Sequence, residues 1–178
     1  MISAPTLPAR IEDVWAGYNQ AITEVHFVIQ SNLIQSIPPN YFANFQPNSD
    51  GVGYSGVGGT APFTKFDISD NKIREIPDTL SAPDLSDLDL SENEITLLEP
   101  GVVARFPALK ELNLEGNKIT ALLDGVFVPA AGDRLSGLNR FQFNNNPLRA
   151  VSPAALQALG YGSPERLVSC GLARGGVQ

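Results

Sequence analysis

Four segments of the chain share one pattern of apolar and polar positions. Each has apolar residues at its first, fourth and sixth positions, an asparagine at its ninth and an apolar residue at its eleventh. The segments are Phe63–Ile73, Leu85–Ile95, Leu109–Ile119 and Leu138–Leu148. Because alternate residues of a strand point to opposite faces, the fourth and sixth positions predict a short strand with one buried face. A unit of this period buries its apolar side only against its neighbours, so the pattern predicts a stack of repeats.

A degenerate copy of the pattern precedes these four segments. It carries Asn32 at the asparagine position, and its ending Ile34, Ile37 and Pro38 parallels the ending of the next copy. We therefore expect about five repeats within residues 24–151. A carboxamide both donates and accepts hydrogen bonds, so each asparagine should satisfy backbone groups of its turn and of a neighbouring turn, at roughly 1–3 kcal/mol per position. This structural asparagine ladder comprises Asn32, Asn71, Asn93, Asn117 and Asn146.

The pattern resembles the leucine-rich repeat, whose motif is L-x-x-L-x-L-x-x-N-x-L. The resemblance implies an α/β fold: a short leucine-rich repeat solenoid with a curved parallel β-sheet on its concave side, a mostly irregular convex side and helical caps. It also implies a non-enzymatic module that recognises protein or peptide and needs no cofactor. Residues Pro100–Val103 and Asp124–Phe127 resemble the convex half of repeats common in extracellular receptors. A fragment of a receptor or receptor kinase is thus favoured, with an intracellular scaffold or regulatory adaptor as the alternative.

The rest of the chain is assigned to the ends and to one insertion of a single domain, residues 1–178. Residues 1–23 are expected to form an N-terminal cap around Trp15, and residues 152–178 a helical C-terminal cap and tail. In that cap Ser152 would begin a helix through Leu159 and Ser163 a second one. Residues 47–60 form a glycine-rich insertion. The insertion contains a G-x-G-x-x-G match, but no strand precedes it and no helix follows, so we interpret it as an exposed loop.

Composition narrows the classes of partner. The chain has 19 acidic and 12 basic residues and a formal charge of -7, so it should repel nucleic acid and anionic membrane surfaces. Apolar stretches are too short to cross a bilayer, and the first residues lack a signal-peptide pattern, which leaves an extracellular fragment and a cytoplasmic protein both open. Cys170 is the only cysteine, which excludes an internal disulfide and a thiolate zinc site.

The side chains between the buried strand positions are the candidate binding residues. In parallel strands held in common phase they should form three rows across the sheet, with strands about 4.8 Å apart. We predict an acidic surface with basic edges that attracts a basic peptide or protein surface. The candidate partner-binding residues are Lys65, Asp67, Asp87, Asp89, Glu111, Asn113, Glu115, Arg140 and Gln142.

Four other interpretations of these carboxylates compete with partner binding. Asp67 and Asp89 could act as the acid and base of a hydrolase, although nothing around them predicts a desolvating pocket. Asp67, Asp87 and Asp89 could hold calcium, although no loop is present to wrap the ion. The charge could also serve solubility alone. A purely structural spacer without a preferred partner is the fourth interpretation.

Overall fold

The computed structural model describes residues 25–42, 63–127 and 138–158. Short strands alternate with turns and irregular connections throughout these segments. The elements are β1 (Val25–Val28), β2 (Phe63–Asp67), β3 (Asp87–Asp89), a 3₁₀ turn (Val103–Arg105), β4 (Glu111–Asn113), β5 (Ala121–Leu122), β6 (Arg140–Gln142), β7 (Ala150–Val151) and α1 (Pro153–Ala158).

A five-stranded parallel sheet runs through the repeats in the order β1-β2-β3-β4-β6. Its register matches the repeat alignment residue by residue, since Phe66 pairs with Leu88, Leu88 with Leu112 and Leu112 with Phe141. Main-chain bonds extend the ladder beyond the strands, for example from the N–H of Ile68 to the carbonyl of Asp89 at 3.0 Å. The predicted parallel solenoid is therefore confirmed, whereas the curvature of its sheet and its helical caps remain predictions.

The apolar repeat positions form one continuous core. Ile68, Leu90 and Leu114 each expose none of their surface, and burial of such a side chain contributes on the order of 1.5–3 kcal/mol. Aromatic residues fill the core beside β1 and β2, where the ring of Phe42 lies 4.8 Å from that of Phe66. Tyr41 packs into the same cluster, and burial raises the pKa of its phenol to about 12 because the phenolate loses its hydration.

Asparagine side chains join consecutive repeats. Asn93 Nδ2 donates to the carbonyl oxygens of Leu90 and Ser91 in its own turn and of Ile68 in the preceding repeat, at 3.0–3.1 Å. Its Oδ1 accepts the N–H of Ile73, also in the preceding repeat, at 2.9 Å. Asn71, Asn117 and Asn146 make the same four bonds with their own neighbours. Each of these carboxamides thus uses both of its hydrogen-bonding functions across a repeat boundary.

Asn32, in the first repeat, makes fewer bonds than the other ladder asparagines. It is exposed, and its Nδ2 donates only to the carbonyl oxygens of Ile29 and Gln30 in its own turn. Within the described residues no earlier repeat offers an N–H to its Oδ1. Asn32 is therefore a natural reference for the energetic value of the bonds between repeats.

The residue before each ladder asparagine adopts a left-handed backbone conformation. The φ angles are +58° at Ser31, +51° at Asp70, +52° at Glu92, +68° at Gly116 and +58° at Asn145. This conformation turns the chain out of the strand while its N–H still reaches the next repeat, as in the 2.8 Å bond from Glu92 to the carbonyl of Glu115. An L-residue there costs roughly 1–2 kcal/mol, so the backbone of the turn is under local strain except at the glycine.

The connections between the main strands contain one pairing that the sequence did not predict. β5 and β7 form a two-stranded parallel sheet, in which Ala121 pairs with Ala150 and Leu122 with Val151. α1 follows at once, and the hydroxyl of Ser152 accepts the N–H of Ala155 at 3.1 Å, as expected for the helix N-cap. Ala155 is buried in the core.

Several predictions concern parts of the chain outside the described residues. They are the N-terminal cap around Trp15, the glycine-rich insertion at 47–60 and the second C-terminal helix from Ser163. The division of the chain into cap, repeats and tail stays a prediction. Among the described helices, none is long and apolar enough to cross a membrane.

Replacement of Asn93 by alanine should lower the free energy of unfolding by about 3 kcal/mol, because it leaves several buried main-chain groups without a partner. Asn32→Ala is the matched control and should cost less than about 1 kcal/mol, since its bonds are local and exposed. Urea denaturation of the two variants measures the difference. Equal losses would contradict a ladder whose energy comes from bonds between repeats.

Gly116→Ala should destabilise the protein by about 1 kcal/mol, through the left-handed backbone and through contact with a neighbouring side chain. A Cβ at this position would overlap the Glu92 carboxylate, which must move away. Gly101→Ala separates the two causes, because Gly101 has a φ of +78° and nothing within 4 Å of the added atom. Thermal unfolding should show a smaller loss for Gly101→Ala; a larger loss there would refute the contribution of Glu92.

The open sheet face as candidate binding site

The side chains opposite the core form a surface that we call the open sheet face. It has three rows that run across the strands, because the register places equivalent repeat positions side by side. Row 1 is His26, Lys65, Asp87, Glu111 and Arg140. Row 2 is Val28, Asp67, Asp89, Asn113 and Gln142. Row 3 lies just past the strands and is Gln30, Ser69, Ser91, Glu115 and Asn144.

All nine candidate residues named from the sequence lie on the open sheet face. None of them is fully buried, and Glu111 and Arg140 are the most exposed of the set. Asp67 and Asp89 are direct neighbours in the register, as the alignment required. The fold thus assembles five carboxylates and two cations on one side of the sheet, and partner binding by these residues stays a prediction.

Two of the aspartates bind serines two residues further along the chain. Asp67 Oδ1 accepts the N–H of Ser69 at 3.1 Å and its hydroxyl at 2.6 Å. Asp89 Oδ1 accepts the same two groups of Ser91, at 2.9 and 2.6 Å. These Asp-x-Ser clamps hold the backbone where it leaves the strand, and they fix the direction of each carboxylate.

An asparagine performs the same backbone function in the next repeat. Asn113 Oδ1 accepts the N–H of Glu115 at 3.1 Å, while its Nδ2 donates to Asp89 Oδ2 at 3.1 Å. The clamp therefore requires an acceptor oxygen and no charge. We therefore expect that Asp67 can be replaced by asparagine without loss of its turn.

The other three acids also have partners within the protein. Glu111 forms an exposed ion pair with Arg140, with 3.6 Å between Oε2 and Nη1. Asp87 accepts the hydroxyl of Ser86, and Glu115 accepts the side-chain amide of Asn145 at 3.2 Å. Sequence reasoning treated these acids as free charges and missed these contacts. The repeated Asp-x-Ser spacing was the one signal that could have revealed the clamps.

Comparison with known families identifies the repeats. Residues 63–119 match the family described as Leucine rich repeat, and the matched segment contains β2, β3 and β4. Residues 63–119 are leucine-rich repeats. A comparison with curated proteins gave no match. Leucine-rich repeat domains typically form non-enzymatic folds that bind other proteins.

On the flank of the repeats, one carboxylate is paired with two basic side chains. Beyond the asparagines, Glu94 accepts Arg74 Nε at 3.2 Å and lies 3.2 Å from Lys118 Nζ. Hydrogen bonds from Lys118 and then Arg74 lower the pKa of the Glu94 carboxyl below its usual value, because both favour the carboxylate. These residues lie outside the three rows and are not candidates for the binding site.

Neither of the alternative chemistries gains support from the leucine-rich repeat geometry. Over residues 25–42, 63–127 and 138–158 no group of three or more histidine, cysteine or acidic side chains is arranged to hold a metal ion. A groove of about 320 Å³ lies between two repeats on the flank, where Glu75, Leu97 and Glu99 are among the residues that line it. It does not include Asp67 or Asp89, the two carboxylates proposed for a hydrolase.

Asp67→Ala should reduce the free energy of unfolding by about 1–2 kcal/mol, because the Ser69 N–H and hydroxyl lose their acceptor in a partly buried turn. Asp67→Asn should stay within about 0.5 kcal/mol of the wild type, since the amide oxygen accepts as Asn113 does. Guanidinium denaturation of both variants provides the measurement. If the two variants lose the same stability, the charge rather than the acceptor holds the turn.

Proposed function

We propose that the protein is a non-enzymatic recognition module that binds a basic peptide or protein surface on the open sheet face. The observation that supports this proposal most directly is the register, which collects five carboxylates and only two cations on one surface. A surface of one sign attracts a partner of the opposite sign and accelerates its encounter.

The internal contacts of the acids favour binding over a purely structural role. Four of the five acids are hydrogen-bonded by serine or asparagine, which are neutral donors. A neutral donor orients a carboxylate and leaves its negative charge in place. The carboxylates are thus already oriented before a cationic partner binds, so binding loses less side-chain entropy.

Residues Pro100–Val103 and Asp124–Phe127 resemble segments that are common in extracellular receptors. We therefore infer that the module is part of a receptor or receptor kinase. Val102, Val103, Val126 and Phe127 of those segments are buried. An intracellular scaffold or adaptor is the alternative. A leader or a membrane helix in the full-length gene product would decide between the two.

The test compares affinity captures by the wild type and by two charge variants. The face variant carries Asp67→Asn and Asp87→Asn, which retain acceptors for Ser69 and Ser86 and remove two charges. The control variant carries Glu75→Gln and Glu99→Gln on the flank, and its net charge changes by the same amount. The expected result is that the face variant binds the captured partner about tenfold more weakly, from roughly 0.2–1 kcal/mol per exposed ion pair.

Salt provides a second arm of this experiment. The affinity of the wild type should fall as ionic strength rises, and that of the face variant should fall less, because exposed charges are screened within about 10 Å at 0.1 M salt. Equal affinity of the face variant and the wild type would reject the open sheet face as the binding site. A loss confined to the control variant would place the site on the flank.

A further inference from the structure

Row 2 of the open sheet face has an ordered chemistry along its length. It begins with an apolar residue, Val28, which is 53% exposed although it is a large hydrophobic side chain. Two carboxylates follow, Asp67 and Asp89, and then two amides, Asn113 and Gln142. Lysine and arginine are absent from this row, whereas row 1 has Lys65 and Arg140. Row 3 also lacks them but has a single carboxylate, Glu115, so row 2 has the most negative net charge of the three rows.

We propose that row 2 binds one face of a basic amphipathic α-helix that lies across the strands. An aliphatic side chain of the helix packs on Val28, and basic side chains one and two turns further along bind Asp67 and Asp89. This inference rests on the proposed function and specifies the partner of the same surface. The recognised element is thus a helix with aliphatic and basic residues on one stripe.

Spacing favours a helix over an extended peptide. Neighbouring strands lie about 4.8 Å apart, so Val28 and Asp89 are separated by roughly 9.6 Å across the sheet. Helix positions i, i+4 and i+7 share one face and span about 10.5 Å along the axis. Residues i, i+2 and i+4 of a strand share one face but span roughly 13 Å. The spacing of the helix therefore matches the spacing of the strands more closely than that of an extended peptide does.

The fixed directions of the row 2 carboxylates support the same partner. Oδ1 of Asp67 is occupied by both donors of Ser69, which leaves Oδ2 for an incoming cation. Asp89 Oδ2 already accepts the amide of Asn113 and retains lone-pair capacity for a second donor. Flexible lysine side chains reach such single oxygens as point charges, and they do not require two open oxygens on one carboxylate.

The experiment uses the full chain and three synthetic peptides. The first is an alanine- and glutamine-based helix with leucine at i and lysine at i+4 and i+7. The second is the same peptide with a central proline, which breaks the helix, and the third has glutamine in place of the leucine. The protein variants are Val28→Thr, which keeps shape and strand propensity, and Leu97→Thr, an exposed apolar control on the flank. Circular dichroism verifies that both variants fold.

The proposal predicts a defined pattern of affinities in fluorescence anisotropy. Proline should weaken binding at least tenfold, and Val28→Thr about fivefold, while Leu97→Thr changes nothing, because only Val28 loses apolar contact with the peptide leucine. The glutamine peptide should no longer distinguish wild type from Val28→Thr. Nuclear magnetic resonance should place the largest shifts at Val28, Asp67 and Asp89.

Two other outcomes would overturn the proposal in distinguishable ways. If Asp67→Asn with Asp87→Asn weakens binding but the proline peptide binds as tightly as the helix, the proposed function stands and the helical partner is wrong. If the same charge variant binds every peptide as the wild type does, the basic partner of the open sheet face is itself refuted.

Discussion

The hydrogen bonds of the asparagine ladder hold successive repeats in one register. Apart from Asn32, each ladder carboxamide donates to carbonyls of two repeats and accepts an N–H of the earlier one, so a shift of one residue would break every bond of the set. The turn it serves is buried, where water cannot replace a lost partner. Register, core packing and the arrangement of the outer side chains therefore all depend on this one interaction.

Row formation on the open sheet face follows directly from that constraint. Because the strands are in phase, one repeat position becomes one row, and the composition of a row is read from a single column of the repeat alignment. Row 2 then combines two tasks, since its aspartates hold the turn through Ser69 and Ser91 and also carry charge. Asn113 shows that the first task needs no charge, which separates the two tasks chemically.

Sequence alone predicted the buried positions, the strands of the main sheet and the membership of the three rows. These features depend on periodicity, and periodicity is fully visible in the chain. The left-handed residues were not predicted, because serine, aspartate, glutamate, glycine and asparagine occupy that position and share no side-chain property. The pairing of β5 with β7 was not predicted either, since its two-residue strands have no alternation to detect.

The acid contacts were missed for a different reason. Asp87 accepts a hydrogen bond from the hydroxyl of Ser86, the residue before it in the chain. Glu115 accepts one from Asn145, which belongs to another repeat. Neither contact can be read from the repeat alignment that predicts the three rows. Only the Asp-x-Ser clamps recur at a fixed spacing. A side-chain contact that occurs only once in a repeat protein leaves no periodic signal. The sequence therefore locates the surface but does not reveal the hydrogen-bond partners of its acids.

The contrast between the flank and the open sheet face indicates which charges are available to a partner. On the flank Glu94 lies between Arg74 and Lys118, so the charge of this one carboxylate is compensated by cations within about 4 Å. On the open sheet face most carboxylates are satisfied by hydroxyl and amide groups, which supply hydrogen bonds without supplying charge. The geometry of these acids is thus fixed while their net charge is kept. This combination stabilises the turns at Ser69 and Ser91, and it also suits the cationic partner that we propose.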